Sequence, residues 1–127
     1  MEWQLGADAP IYSQLVANMK LAIVSGRFSP GARLASVRDL AVDAGVNPNT
    51  MQRALQELER EGMVFSQRTA GRFVTEDEAV INEAKRALAQ DNIRSFLAAM
   101  SRLGYSKEEI VALLEKENGE ELKNADI

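Results

Sequence analysis

The segment Ala44-Gly45-Val46-Asn47-Pro48 places a helix stop and a helix start within five residues. Glycine tolerates the left-handed backbone that closes a helix. Asn47 can cap the next helix, and Pro48 then falls on the first helical position, where its missing N–H costs nothing. Two helices joined by a tight turn follow from this spacing. Read backward, Ser36 is an N-cap for a helix of about two turns that carries Val37, Leu40 and Ala41 and ends at Ala44. Read forward, the second helix runs from Pro48 to about Glu61, with Met51, Leu55 and Leu58 as its apolar stripe and Gly62 closing it.

The flanks extend the pattern. Ile11, Leu15, Met19, Ala22 and Ile23 recur on one helical face and predict a first helix over Ile11–Ser25, stopped by Gly26. Phe28-Ser29-Pro30-Gly31 is a turn, followed by a short extended piece at Arg33-Leu34. After Gly62 the period becomes extended, with strands over residues 63–68 and 71–75 meeting near Thr69-Ala70. An isolated hairpin is marginal in water, so this one must lean on the helices. Helix, helix-turn-helix, hairpin is the order of a winged helix domain. The predicted fold is therefore mainly α with a small β-hairpin: a winged helix-turn-helix over residues 1–75, then a two-helix dimerisation tail over residues 76–127.

That tail is read from Val80, Ile81, Ala84, Ala87, Leu88, Ile93, Phe96, Leu97, Met100 and Leu103, taken as one apolar stripe along a helix of about seven turns ended by Gly104. Ser106-Lys107-Glu108-Glu109 is a capping box opening a last helix with Ile110, Leu113 and Leu114. These helices have little of their own to bury the stripe against, so it calls for a partner: the first domain or a second chain. The residues after Lys116 are expected to fray.

Composition narrows the chemistry. The 127 residues suit one domain with a helical appendage, and they include no cysteine and no histidine. Disulfides, thiolate zinc sites and the commonest general base are excluded. No glycine-rich phosphate loop or metal-spaced cluster exists, and Glu108-Glu109 is explained by a helix N-terminus favouring negative charge. The expectation is no enzyme, no metal and no cofactor. No apolar run of membrane-spanning length and no secretory leader is present, so the expected location is cytoplasmic, with no membrane partner.

The formal charge of −4 argues at first against nucleic acid, but it is unevenly placed. Residues 27–75 carry seven arginines against five acids, a net +2, while residues 76–127 carry seven basic and twelve acidic side chains, a net −5. Every cation of the middle segment is arginine: Arg27, Arg33, Arg38, Arg53, Arg60, Arg68 and Arg72. Arginine suits planar contacts to phosphate and base edges better than lysine does.

Three blocks then carry a resemblance: Pro10-Ile11-Tyr12-Ser13-Gln14-Leu15, Ile23 through Leu34, and Ser36-Val37-Arg38-Asp39-Leu40-Ala41. With Gly45 through Thr50, Ala54 through Gly62, and Phe73-Val74, they resemble the winged helix domain of GntR-family transcriptional regulators from about Pro10 to Thr75. The Asn-Pro-Asn-Thr turn and the short two-helix tail are similar to the YtrA-like subfamily. The chain departs from the family pattern at Ala35, where proline is usual, at Thr69, where the first wing glycine is usual, and at Arg72, where a small hydroxyl residue is usual.

A recognition helix enters the major groove with its N-terminal end toward the bases, which makes Asn49, Thr50, Gln52 and Arg53 the candidate readers. Amides pair with adenine and arginine with guanine in two bonds, each good pair discriminating by about 1–3 kcal/mol. Thr50 fits a phosphate at the helix start. The resemblance adds Arg38 as a base or phosphate contact and places the wing, Arg68 to Arg72, against the minor groove. Other residues have plainer readings: Asn47 as a cap, Arg60 as a surface charge paired with Glu57 or Glu61, Tyr12 and Trp3 as packing. The implied partner is double-stranded DNA, bound as a palindromic operator by a homodimer formed through residues 76–118. A small-molecule effector, if the chain has one, would sit between the dimer helices. The competing reading is a winged helix that binds protein, with the acidic helices as an interaction module.

Overall fold

The structure, a computed structural model, describes the backbone of residues 1–124 and the side chains of residues 1–117. Helices α1 (Ile11–Val24), α2 (Val37–Ala44) and α3 (Pro48–Arg60) precede strands β1 (Val64–Gln67) and β2 (Gly71–Val74). Helices α4 (Glu78–Arg102) and α5 (Lys107–Asn124) follow. The expected elements are all present, with ends shifted by one or two residues. The backbone stays helical to Asn124, past the fraying expected after Lys116, and the last three residues of that expectation lie outside the described residues.

The local chemistry is as the sequence dictates. Ser36 accepts the Asp39 N–H at 3.1 Å, and Gly45 closes α2 at a φ of 70°. Asn47 accepts the Asn49 N–H at 2.7 Å to open α3. Leu15, Met19 and Ile23 of α1 and Met51, Leu55 and Leu58 of α3 are fully buried, with Leu40 and Ala41 of α2 and Met63, Val64 and Val74 of the hairpin. The hairpin pairs Val64 with Val74 and Gln67 with Gly71. Arg33 makes an isolated bridge to Phe73, and the Leu34 N–H donates to the Arg72 carbonyl at 2.9 Å. This bond fixes the approach to α2 without a proline at Ala35. The wing turn closes on Gly71 (φ 102°), where a β-carbon would also come within 3.1 Å of Arg33 Nε, so the glycine absent at Thr69 is not the one this hairpin needs.

One element has no periodicity to betray it. Residues 1–6 lie along α1, held by two side-chain amides one helical turn apart. The Asn18 amide accepts the Gln4 N–H and donates to its carbonyl, and Gln14 does the same for Gly6. Trp3 donates its indole N–H to Asp43 on α2 at 2.8 Å, and that hydrogen bond holds the Asp43 carboxyl below its ordinary value. Trp3 packs against the core, as expected of it.

Two compact units are distinguished, Met1–Ala87 and a second that begins at Leu88. The first thus extends past the expected boundary at residue 75, because Val80, Ile81 and Ala84 of α4 pack against the winged core. The apolar residues expected along α4 divide between the two units: Val80, Ile81 and Ala84 belong to the first, and Leu88, Ile93, Phe96, Leu97 and Met100 to the second. Within the second unit, at about 100° of rotation per residue, Ile93, Phe96, Leu97 and Met100 share one side of the helix. In the second unit Ile93 (55%), Leu103 (71%) and Leu114 (50%) stand exposed, with Phe96, Leu97, Val111 and Leu113, while Ile110 is buried. The capping box is formed: Ser106 N–H donates to Glu109 at 2.9 Å and Glu109 N–H to Ser106 Oγ at 3.2 Å.

Candidate nucleic-acid interface

Burying Met51, Ala54, Leu55 and Leu58 turns the opposite side of α3 outward. By helix geometry that side carries Asn49, Gln52, Arg53, Gln56 and Arg60 within about 60° of a common line. Asn49, Arg53, Gln56 and Arg60 are exposed, and Gln52 and Thr50 are half-buried. Helices α2, α4 and α5 each carry an acid in the first turn, which complements the positive end of the helix dipole, whereas α3, like α1, carries none. Its N-terminal end is therefore open to an outside anion.

The candidate arginines fall into three states. Arg60 grips Glu57 with two N–H groups, one at 2.7 Å, which makes it the paired surface charge the sequence suggested; that grip lowers the Glu57 carboxyl. Arg72 is 21% exposed and places Nε 2.5 Å from Glu59. Arg38 and Arg68 are exposed, on α2 and in the wing turn, and among the described residues neither has an ion pair. Arg53 lies with its guanidinium carbon 3.9 Å from the centre of the Tyr12 ring.

Glu59 joins recognition helix to wing, because it accepts Ser66 Oγ at 2.7 Å as well as Arg72. Burial alone would raise its carboxyl, but the hydrogen bonds from Arg72 and Ser66 and the Arg72 charge bring it below the ordinary 4.5. A carboxyl lowered by folding stabilises fully above its ordinary value and loses that stabilisation as pH falls through the folded value. Glu59→Gln should therefore be less stable than wild type at neutral pH, by on the order of 1 kcal/mol or less for a pair of this exposure. The gap should be smaller at about pH 3, because it is lost as pH falls through the lowered folded value. Urea titrations at the two pH values measure it, and a gap independent of pH would remove the carboxylate from the account.

Two residues in this region are not among the candidate contacts read from the sequence. Gln56 lies seven residues after Asn49 and four after Gln52, a spacing that was there to be read. Arg33 lies beside Gly71 at the root of the wing, which only the bridge to Phe73 reveals.

Comparisons with known proteins identify the family. Residues 11–74 match the family model described as "Bacterial regulatory proteins, gntR family". The chain is similar to the uncharacterized HTH-type transcriptional regulator YhcF of Bacillus subtilis, 36% identical over 87% of this chain and 92% of that protein. It is similar also to the HTH-type transcriptional repressor YtrA of the same organism, 31% identical over 82% of this chain and 81% of that one. A GntR family transcriptional regulator from Listeria monocytogenes superposes with a TM-score of 0.80 at 38% identity, covering 88% of this chain and 98% of that one. The relatives are named as transcriptional regulators, a class without enzymes: the chain belongs to the GntR family of bacterial transcriptional regulators, and its likeness to YtrA is consistent with the YtrA-like subfamily.

Proposed function

We propose that the chain is a dimeric repressor acting in the cytoplasm on a palindromic operator. The acid-free N-terminus and polar outward side of α3 carry this reading. Asn49, Gln52 and Arg53 read base edges in the major groove, Thr50 takes a phosphate at the helix start, and Arg38 adds a contact from α2. Arg68 reaches the minor groove from the wing. Arg72 serves the same contact from within its pair with Glu59, which sets the wing against α3. The exposed apolar side chains of residues 88–114 join two copies, so that two α3 helices meet half-sites about 34–36 Å apart. The name of the YtrA relative supports repression. A small-molecule effector would bind between the paired tail helices.

Arg38→Ala tests the docking. Affinity for a duplex selected from a random-sequence pool by the wild-type chain should fall at least about tenfold, with the thermal transition unchanged. Wild-type affinity should fall steeply as salt rises, because each neutralised phosphate releases counterions. Full binding by Arg38→Ala would overturn the docking. The absence of salt-dependent duplex binding by the wild type would favour a protein partner instead.

A further inference from the structure

Arg53 differs from the other arginines of α3 and the wing in what holds it. Arg60 gives Glu57 its Nε and one Nη, and Arg72 gives Glu59 its Nε, so a carboxylate occupies part of each fork. Arg53 has no carboxylate at ion-pair distance among the described residues, and lies over the half-buried Tyr12 ring instead. A guanidinium stacked on a ring uses its flat face for the contact. Its five N–H donors radiate in the plane of the group and stay available. Tyr12 is anchored for this purpose: it is the second residue of α1, packed against the same core that buries Leu55 and Leu58 behind Arg53.

We propose that Tyr12 is a positioning residue for DNA recognition: its ring holds the Arg53 guanidinium as a preset planar fork for a paired acceptor on the duplex. This rests on the DNA-binding reading above. The matching acceptor is either the O6/N7 edge of a guanine or two oxygens of one phosphate, both of which suit a bidentate arginine. Fixing the fork before binding removes the ordering cost of a long side chain at the moment of contact.

The stack is first tested without DNA. In the full chain, the Arg53 side-chain Nε–H resonance should be shifted upfield by the ring in wild type and in Tyr12→Phe, and return to the free position in Tyr12→Leu. An unshifted wild-type resonance overturns the proposal whatever the protein binds. Affinity for the duplex selected by the wild-type chain is then measured for Tyr12→Phe, Tyr12→Leu, Arg53→Ala and the Tyr12→Leu/Arg53→Ala double variant. Tyr12→Leu should lose about three- to thirty-fold, the range expected for one cation–aromatic contact. Tyr12→Phe should keep affinity within about threefold, since the ring remains. The Tyr12→Leu loss should vanish in the Arg53→Ala background, because Tyr12 acts only through Arg53. A loss that persists there, or one caused equally by Tyr12→Phe, means that tyrosine touches the duplex itself, and overturns the proposal. Replacing single guanines of the duplex by 7-deazaguanine identifies a guanine acceptor if wild type loses affinity and Arg53→Ala does not. A salt slope lower by about one in Arg53→Ala identifies a phosphate. If Arg53→Ala changes neither, the fork has no acceptor and the proposal fails. Failure to select any duplex overturns the DNA-binding reading and with it this role of Tyr12, whereas an unshifted resonance overturns the proposal and leaves that reading standing.

Discussion

Ile93→Glu combined with Leu97→Glu should leave the chain monomeric at micromolar concentration and lower operator affinity at least about 100-fold. The two side chains lie one turn apart on α4, both exposed, in a side that also carries Phe96 and Met100. Apolar side chains clustered this way on an exposed helix mark an association surface. Two charges placed there would have to be desolvated without partners for copies to join. The affinity loss follows from linkage: joining two DNA-reading units makes the second contact intramolecular, a gain of about 10²–10⁴ that a monomer forfeits. The charges should not unfold the first unit, whose buried residues are elsewhere. Sedimentation velocity and fluorescence anisotropy on the selected duplex measure the two effects. A double variant that remains dimeric would show that other residues join the copies.

Leu55→Ala should destabilise the chain by about 2–5 kcal/mol, a large share of the roughly 5–15 kcal/mol that holds a typical domain together. Leu55 is completely buried on α3, which packs against α1, α2 and β1 at once. Truncation therefore leaves a cavity that no single neighbour can collapse into. The adjoining Gln56→Ala, on the exposed side, should stay within about 0.5 kcal/mol of wild type. Urea unfolding of the two variants makes the comparison. A loss below about 1 kcal/mol for Leu55→Ala would mean that α3 is not the centre of the core.

Short-range chemistry made the helix-turn-helix legible in the sequence. Ser36, Gly45, Asn47 and Pro48 each act on backbone within a few residues of themselves, so their types fix α2, the turn and α3 almost to the residue. What stayed hidden depends on residues brought together by the fold. The pairing of Arg72 with Glu59 spans thirteen positions and requires the hairpin register. Tyr12 and Arg53 come from different helices. The N-terminal segment is held by the amides of Gln14 and Asn18, which along the chain read as unremarkable polar positions on α1. On α4 the apolar residues are legible in the sequence, but that Val80, Ile81 and Ala84 are the ones packed against the winged core depends on the fold.

The junction at Glu59 has a consequence of its own. One carboxylate latches two residues of the hairpin, Ser66 and Arg72, onto α3. A change at any one of the three loosens the latch for the other two, so these positions should drift together rather than singly.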